Sequence, residues 1–265
     1  MRDSTSPEFI EAIARGLDVI RVFGTRGQPL SLSDIASEAE LARPTVRRIL
    51  LTLAELGYVR NQDGLFSLTP HVLDLGMAYV SASSIWELTR PHLTSLSSSL
   101  GQSCSIAQLE GSDIIYVSRV AVPKLVTLSV SIGTRFPALC TSLGKVLLAA
   151  LPTDELHRTL AIPSRSGVTP SWQPEPDEID AVLREVRATG WAVTDQQLAP
   201  AIRSVAAPIR NGSGTVVAAA NVNAHALETS VDTLVDDYLP QLLAAAGAIS
   251  ADWARLESRP LAEVG

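Results

Sequence analysis

Leu30 to Thr69 sets out two short helices, a tight joint and a strand pair, in an order that few folds accommodate. Ser31 or Ser33 can cap a first helix, because a serine oxygen accepts from the free N–H groups of a first turn. That helix would turn Ile35 and Ala36 inward and end near Glu38. After a joint at Glu40 and Leu41, Pro44 is tolerated in the first turn of a second helix, where its missing N–H would be unpaired anyway. Val46, Ile49, Leu50, Leu53 and Leu56 recur there at helical spacing as a buried stripe, and Gly57 stops the helix. Tyr58–Arg60 and Leu65–Leu68 read as strands around Asn61-Gln62-Asp63-Gly64, with Asp-Gly as the turn. The sum is a winged helix-turn-helix, a layout suited to reading DNA. The competing reading is a small helical hairpin whose arginines are simply solvated.

On a wheel of roughly 100° per residue, Arg48 lies opposite the stripe, Arg47 on one shoulder, and Thr45 and Thr52 on the other. Arg43 stands at the N-terminal end, where recognition helices meet base edges. Arg60 is placed to meet neighbouring phosphates. Arginine suits these positions because its planar fork matches phosphate or guanine O6 and N7. Leu51 also points outward, toward either a thymine methyl or the first helix. The chain as a whole carries a net charge of −7, and residues 1–80 hold eight arginines against ten acids, 8 − 10 = −2. Non-specific DNA affinity requires basic surface, so a coating role is disfavoured. Residues 43–60, however, hold four arginines against the single Glu55. A small positive face on an acidic body fits an oligomeric, site-specific binder of double-stranded DNA.

A length of 265 residues with 46 % hydrophobic content predicts about two domains. We expect a DNA-binding domain over 1–69, a linker helix over 70–84, an α/β domain over 85–258 and a tail over 259–265. A first helix is expected from Glu8 to Phe23, ending at Gly24 and Gly27, with Ile10, Ile13, Leu17 and Ile20 as its face. A helix opening at Pro70 carries Val72, Leu75, Tyr79 and Val80. The boundary falls in the small-residue run Ser81–Ser84, and a helix spans Ile85–Leu100. Strands follow at Ser103–Leu109, Ile114–Val120 and Leu125–Ser131, then a helix at Ser142–Leu151 closed by Pro152. Two more helices begin near Asp154 and Asp177, the second ending at Gly190. Further strands lie at Trp191–Asp195, Val205–Arg210 and Val216–Val222, before a last helix at Tyr238–Leu256. The start MRDSTSPEF lacks the apolar core of a secretory signal, and no apolar run reaches membrane length. A cytoplasmic protein with no membrane partner is expected, with Cys104 and Cys140 as reduced core or pocket residues and a redox sensor as the alternative. His71, His92, His157 and His225 lack metal-ligand spacing, so neither a metal nor a cofactor is expected.

Several blocks, in order, carry a resemblance. They are Gly16–Ile20, Thr45–Tyr58, Leu73–Gly76, Gly133–Pro137, Thr141–Ala149 and Ile202–Ile209. Over nearly its whole length the chain resembles the IclR family of bacterial transcriptional regulators. Arg47–Leu53, Trp86-Glu87 and Pro91-His92-Leu93 look most like its PcaR/PobR-type branch, which governs breakdown of protocatechuate and related aromatic acids through the β-ketoadipate pathway. The resemblance implies an α+β protein: an N-terminal winged helix-turn-helix, a linker helix, and a C-terminal GAF-like α/β effector-binding domain with an antiparallel sheet, assembled as a homodimer or tetramer. It implies a small organic acid or aromatic effector, and a ligand-responsive regulator of an aromatic-acid catabolic operon. Regulation of another carbon-source pathway is the alternative.

The family's effector positions fall here on Leu125, Ser142, Leu143, Thr194, Asp195, Ser204, Asn221 and Asn223. The chemistry suits them: a helix N-terminus with a serine is a carboxylate cradle, and Asn221 and Asn223, two apart on a strand, share a face. The bland readings are that the asparagines cap strand neighbours or face solvent, and that Asp195 is a turn residue. No arginine obviously lines the set, although Arg203 or Arg135 could reach it. Ser142-Leu143-Gly144-Lys145 also matches the S-x-x-K of serine acyl-transfer enzymes, but its companion elements are absent from the chain. No catalytic residue is therefore expected.

Overall fold

The structure, a computed structural model, describes residues 7–82, 85–123 and 130–258. The chain divides into one unit up to Ser83 and another from Ser84 onward.

In the first unit, α1 (Glu11–Arg26), α2 (Leu32–Glu38) and α3 (Arg43–Glu55) enclose a core of Val19, Val22, Phe23, Ile35, Val46, Leu50 and Leu53. Ser31 caps α2, which decides against Ser33: its Oγ accepts from the Asp34 N–H, and the Asp34 carboxylate accepts from the Ser31 N–H. These hydrogen bonds from Ser31 hold the Asp34 carboxyl below its ordinary pKa. The first helix departs from expectation at both ends. It starts at Glu11 and runs through Gly24, because Arg26 pairs with Glu38 at 3.0 Å and draws the extra turn down onto α2. Its buried face is Val19, Val22 and Phe23, whereas Ile10, Ile13 and Leu17 are exposed. The helix carries two apolar stripes, and the core takes the one in its last two turns.

The wing contains β1 (Leu30–Ser31), β2 (Val59–Gln62) and β3 (Leu65–Leu68) in the antiparallel order β1-β3-β2. Gln62 pairs with Leu65, so the turn is the dipeptide Asp63-Gly64, with φ of 52° and 83°. Two consecutive positive φ values match the right-handed twist of a hairpin. Asn61 and Gln62 therefore belong to the strand, not to the turn, and Tyr58 precedes it. Leu56, expected in the α3 stripe, is exposed: it is the C-cap residue, beyond the last buried turn. A short 3-10 turn at Pro70–Val72 leads into α4 (Leu73–Ala82).

The second unit is built on a six-stranded antiparallel sheet. It comprises β4 (Ser103–Glu110), β5 (Asp113–Val120), β6 (Arg135–Pro137), β7 (Ala192–Asp195), β8 (Ile202–Arg210) and β9 (Val216–His225), in the order β6-β5-β4-β9-β8-β7. Period-two alternation sorts its residues to two faces. Cys104, Ile106, Val205, Ala207, Val222 and Ala224 meet α5 (Ile85–Leu100) and α10 (Leu239–Glu257). Ala107, Tyr116, Ala206 and Ala219 face α6 (Ser142–Ala149) and α8 (Pro176–Thr189). Between them in the chain lie α7 (Thr153–Leu160) and α9 (Val231–Thr233), the latter passing through a π-helical turn, Leu234–Tyr238, into α10. The expected strand Leu125–Ser131 lies mostly outside the described residues; its described end, Val130 and Ser131, is not strand. Strand β8 starts three residues earlier than expected and β9 ends three later, because Ile202 pairs with His225 and Ser204 with Asn223.

Helix α6 is buried along its whole length and is capped by Thr141, whose Oγ1 accepts from the Gly144 N–H at 2.9 Å. Its approach is tight at Gly144, where an added Cβ would stand 2.0 Å from the Ala138 carbonyl oxygen. Gly→Ala inside a helix ordinarily stabilises by about 1 kcal/mol. Gly144→Ala should reverse that sign and cost about 2–3 kcal/mol through overpacking against backbone. A midpoint in urea unfolding at or above that of the native chain would refute the close approach.

Candidate functional site

In the first unit, Arg43, Arg47, Arg48, Thr52 and Arg60 are exposed and Thr45 is half-buried. Leu51 is also exposed. Among the described residues, none of the four arginines forms an ion pair with this chain's own carboxylates. By contrast, Arg15, Arg21 and Arg26 are paired to Glu11, Asp18 and Glu38. The division is physical: the cations on α1 are neutralised locally, and those on α3 and β2 are left available to an outside anion. Thr45, Arg48 and Thr52 line a groove shared with Glu11, Arg15 and Gly16 of α1.

In the second unit, the α6-facing side of the sheet carries a polar strip. Cross-strand partners share a face, so Thr194, Ser204, Asn223 and Ser103 form one row, and Ala206, Asn221, Ser105 and Arg119 the next. Ser204 Oγ lies 2.7 Å from Ser142 Oγ and 2.8 Å from Thr194 Oγ1, and all three residues are buried. Three hydroxyls joined by two hydrogen bonds use two of their protons internally, leaving one proton and several lone pairs for a further partner. Asn221 Nδ2 donates to Asn223 Oδ1 at 3.2 Å, and Asn223 Nδ2 returns to Asn221 Oδ1 at 3.4 Å. Each amide keeps a second N–H for something else.

Of the expected effector positions, the structure thus brings together Ser142, Thr194 and Ser204, and pairs Asn221 with Asn223. Leu143 is fully buried in the hydrophobic core beneath them. Leu125 lies outside the described residues. Asp195 does not join the set: it follows Thr194 on β7 and so faces the other way, in a two-point ion pair with Arg203 at 2.6 and 3.1 Å. That guanidinium holds the Asp195 carboxyl below its ordinary pKa. Arg203 is further occupied by the Ala226 and Thr229 carbonyls, and Arg135 stands 3.6 Å from Asp113. Neither is therefore free to serve the strip. The cation that sequence reasoning missed is Arg119. It is half-buried, one of its terminal nitrogens donates to Ser105 Oγ at 2.9 Å, and its Nε is buried without a partner. The strand itself gave little signal, because Asp113 and Ser118 also lie on β5 and the tie to Ser105 depends on register across strands.

The S-x-x-K pair is turned to separate partners. Ser142 bonds Ser204, whereas Lys145 Nζ donates to Gln197 Oε1 at 2.5 Å and sits 4.8 Å from the centroid of the Trp172 ring. Burial pushes Lys145 down to about 8, against smaller opposing effects of Cys140 and Glu185. Burial also pushes the Cys104 and Cys140 thiols up, to about 12 and about 11, which suppresses the thiolate that redox chemistry needs. Among the described residues, no group of three or more His, Cys, Asp or Glu could hold a metal, and no helix is long and apolar enough to cross a membrane.

Residues 77–251 match the model of the bacterial transcriptional regulator IclR C-terminal domain, and residues 12–63 the IclR helix-turn-helix domain. The chain is 40% identical over 240 residues to the Pca regulon regulatory protein of Pseudomonas putida, covering 90% of this chain and 82% of that protein. Among solved structures, a transcriptional regulator from Rhodococcus sp. RHA1 superposes with a TM-score of 0.80 at 45% identity, covering 94% of this chain and 100% of that one. An IclR homologue from Microbacterium hydrocarbonoxydans, solved with 4-hydroxybenzoate, shares the fold: its TM-score is 0.78 at 23% identity, over 92% of this chain and 99% of that one.

Lys145 gives a pH test. The unfolded lysine, with an ordinary pKa of 10.5, binds more protons than the folded one between about pH 8 and 10.5, so stability must rise with pH across that window. The native chain should gain on the order of a few kcal/mol there relative to Lys145→Met, with a constant difference below pH 8. Parallel stability–pH curves for the two chains would show that Lys145 is not held in a desolvated state.

Proposed function

The chain belongs to the IclR family of bacterial transcriptional regulators, and from that premise we propose that it is a ligand-responsive regulator of an aromatic-acid catabolic operon. Residues 1–69 bind operator DNA, residues 70–84 form the linker helix, and residues 85–258 bind a small aromatic acid. The protein works as a homodimer or tetramer. The observation that carries the reading is the largely buried polar strip of Ser142, Thr194, Ser204, Asn221 and Asn223, in the same chain as a recognition helix whose arginines form no ion pair among the described residues. Arg43, Arg47, Arg48 and Arg60, with Thr45 and Thr52, make the DNA contacts. The Pca regulon relative and the 4-hydroxybenzoate held by the Microbacterium protein favour an aromatic acid. The separate partners of Ser142 and Lys145 speak against a serine acyl-transfer enzyme.

Response requires a coupling free energy between the two sites, and such coupling is reciprocal. An acid that weakens operator binding by some factor must itself bind the DNA complex more weakly by the same factor. Arg47→Ala and Arg48→Ala should each lower affinity for duplexes selected from a random library by about 10- to 100-fold, while leaving the oligomer and acid binding intact. Fluorescence anisotropy reads this directly, and unchanged affinity would remove those side chains from the interface. A thermal shift series with protocatechuate, 4-hydroxybenzoate and β-ketoadipate tests the sensor, since a ligand selective for the folded state raises the melting temperature. Asn221→Leu with Asn223→Leu should cancel the shift without loss of DNA binding. Silence of the native chain toward all three acids would redirect the reading to another carbon-source pathway.

A further inference from the structure

Among the described residues, three buried side-chain polar atoms have no hydrogen-bond partner: Trp86 Nε1, Ser112 Oγ and Arg119 Nε. Only the last belongs to a charged group. A guanidinium is costly to desolvate without an anion, and among the described residues no carboxylate pairs with Arg119. Burial is also the largest influence on its acidity, lowering its pKa. Among the described residues, its side-chain hydrogen bond goes to a neutral hydroxyl, Ser105 Oγ. A half-buried guanidinium with an enclosed, unpartnered Nε lacks the partner that would repay its desolvation.

Its place in the sheet says where that partner sits. Arg119 is directly opposite Ser105, and Ser105 directly opposite Asn221, so all three project from one face in one row. Asn223 is one step along on the same face. Strands β5 and β9 flank β4, which separates Arg119 from Asn221 by roughly 10 Å along the row. That is the spacing of the backbones: the guanidinium itself reaches Ser105 Oγ on β4, one strand from the Asn221 and Asn223 amides of β9, so a single-ring acid is large enough to touch both groups. The two arginines that could have competed for the role are held by Asp195 and Asp113.

We infer that Arg119 is the residue that recognises the effector's carboxylate. The guanidinium presents Nε and a terminal nitrogen as a fork to the two carboxylate oxygens. The Asn221–Asn223 amides receive a polar substituent at the far end of the ring. The effector class is then a single-ring aromatic monocarboxylate with a second hydrogen-bonding group. This rests on the sensor reading given above and adds to it the group that selects for charge.

The experiment is calorimetric titration of the full chain with 4-hydroxybenzoate and with its neutral counterpart, 4-hydroxybenzamide. The native protein should prefer the acid by on the order of 100-fold, because a site built around a partly desolvated cation rejects a ligand that leaves it unpaired. Arg119→Gln should reduce that preference to a few-fold, and Arg119→Lys should fall between, keeping charge without the fork. Equal affinity of the native chain for acid and amide would overturn the assignment while leaving the sensor intact, and that comparison needs no variant to fold. So would an Arg119→Gln chain that keeps the preference. Failure of the native chain to bind either probe would overturn the aromatic-acid reading and the anchor together.

Discussion

How closely α6 lies on the sheet governs the chemistry of the second unit, and Gly144 governs how closely α6 lies. A side chain there would collide with the Ala138 carbonyl, so glycine lets the preceding 3-10 turn, Ala138–Cys140, fold back against the helix's first turn. The Thr141 cap fixes where that turn begins. Together they put Ser142 Oγ 2.7 Å from Ser204 on β8. A displacement of even an ångström would break this bond and leave the buried Ser142 hydroxyl unsatisfied, a cost of about 1–3 kcal/mol, while Ser204 would keep Thr194. The small side chains beneath, Ala107, Ala206 and Ala219, are fully buried and serve the same end. They keep the sheet surface flat enough for a helix buried on every side.

The elements were legible where a local rule had no competitor. The Asp63-Gly64 turn and the Gly190 helix stop are decided by backbone chemistry within a few residues, whereas the cap of α2 had two candidates, Ser31 and Ser33, until the structure chose Ser31. The alternation in β4, β5, β8 and β9 is equally local. The first helix was misread because its sequence offers two apolar stripes, and only tertiary packing chooses between Ile10-Ile13-Leu17 and Val19-Val22-Phe23. Strands β1 and β6 are two and three residues long, too short for any periodicity to register. Each exists because a neighbouring strand offers unpaired groups.

Site residues followed the same division. Asn221 and Asn223 were readable because spacing of two on a strand fixes their common face. Asp195 was placed with the effector set by resemblance, yet strand alternation sends it to the opposite side from Thr194, where Arg203 claims it. Arg119 was invisible for the converse reason. Its relation to Ser105 and Asn221 depends on register across β5, β4 and β9, and the β4–β5 pair shifts register between Ile106 and Ala107. Long-range register of that kind cannot be counted along one strand.

An acidic chain that binds DNA needs its few cations free, and the distribution of ion pairs meets that need. Charges at a protein surface are screened over roughly 10 Å at moderate salt, so a net charge of −7 matters less to the recognition helix than what stands beside it. The pairing of Arg15, Arg21 and Arg26 on α1 leaves the exposed arginines of α3 and β2 as the uncompensated positive surface of that unit's reading helix and wing. The second unit uses the same economy inside the protein. Its hydroxyl chain and its asparagine pair satisfy one another by internal hydrogen bonds. Among the described residues, Arg119 is the cation left with a buried, unpartnered nitrogen, and under the anchor proposed above it is there that an arriving anion would gain most. Buried polar groups that complete one another are structure, and under that proposal the charged group that does not is where recognition is concentrated.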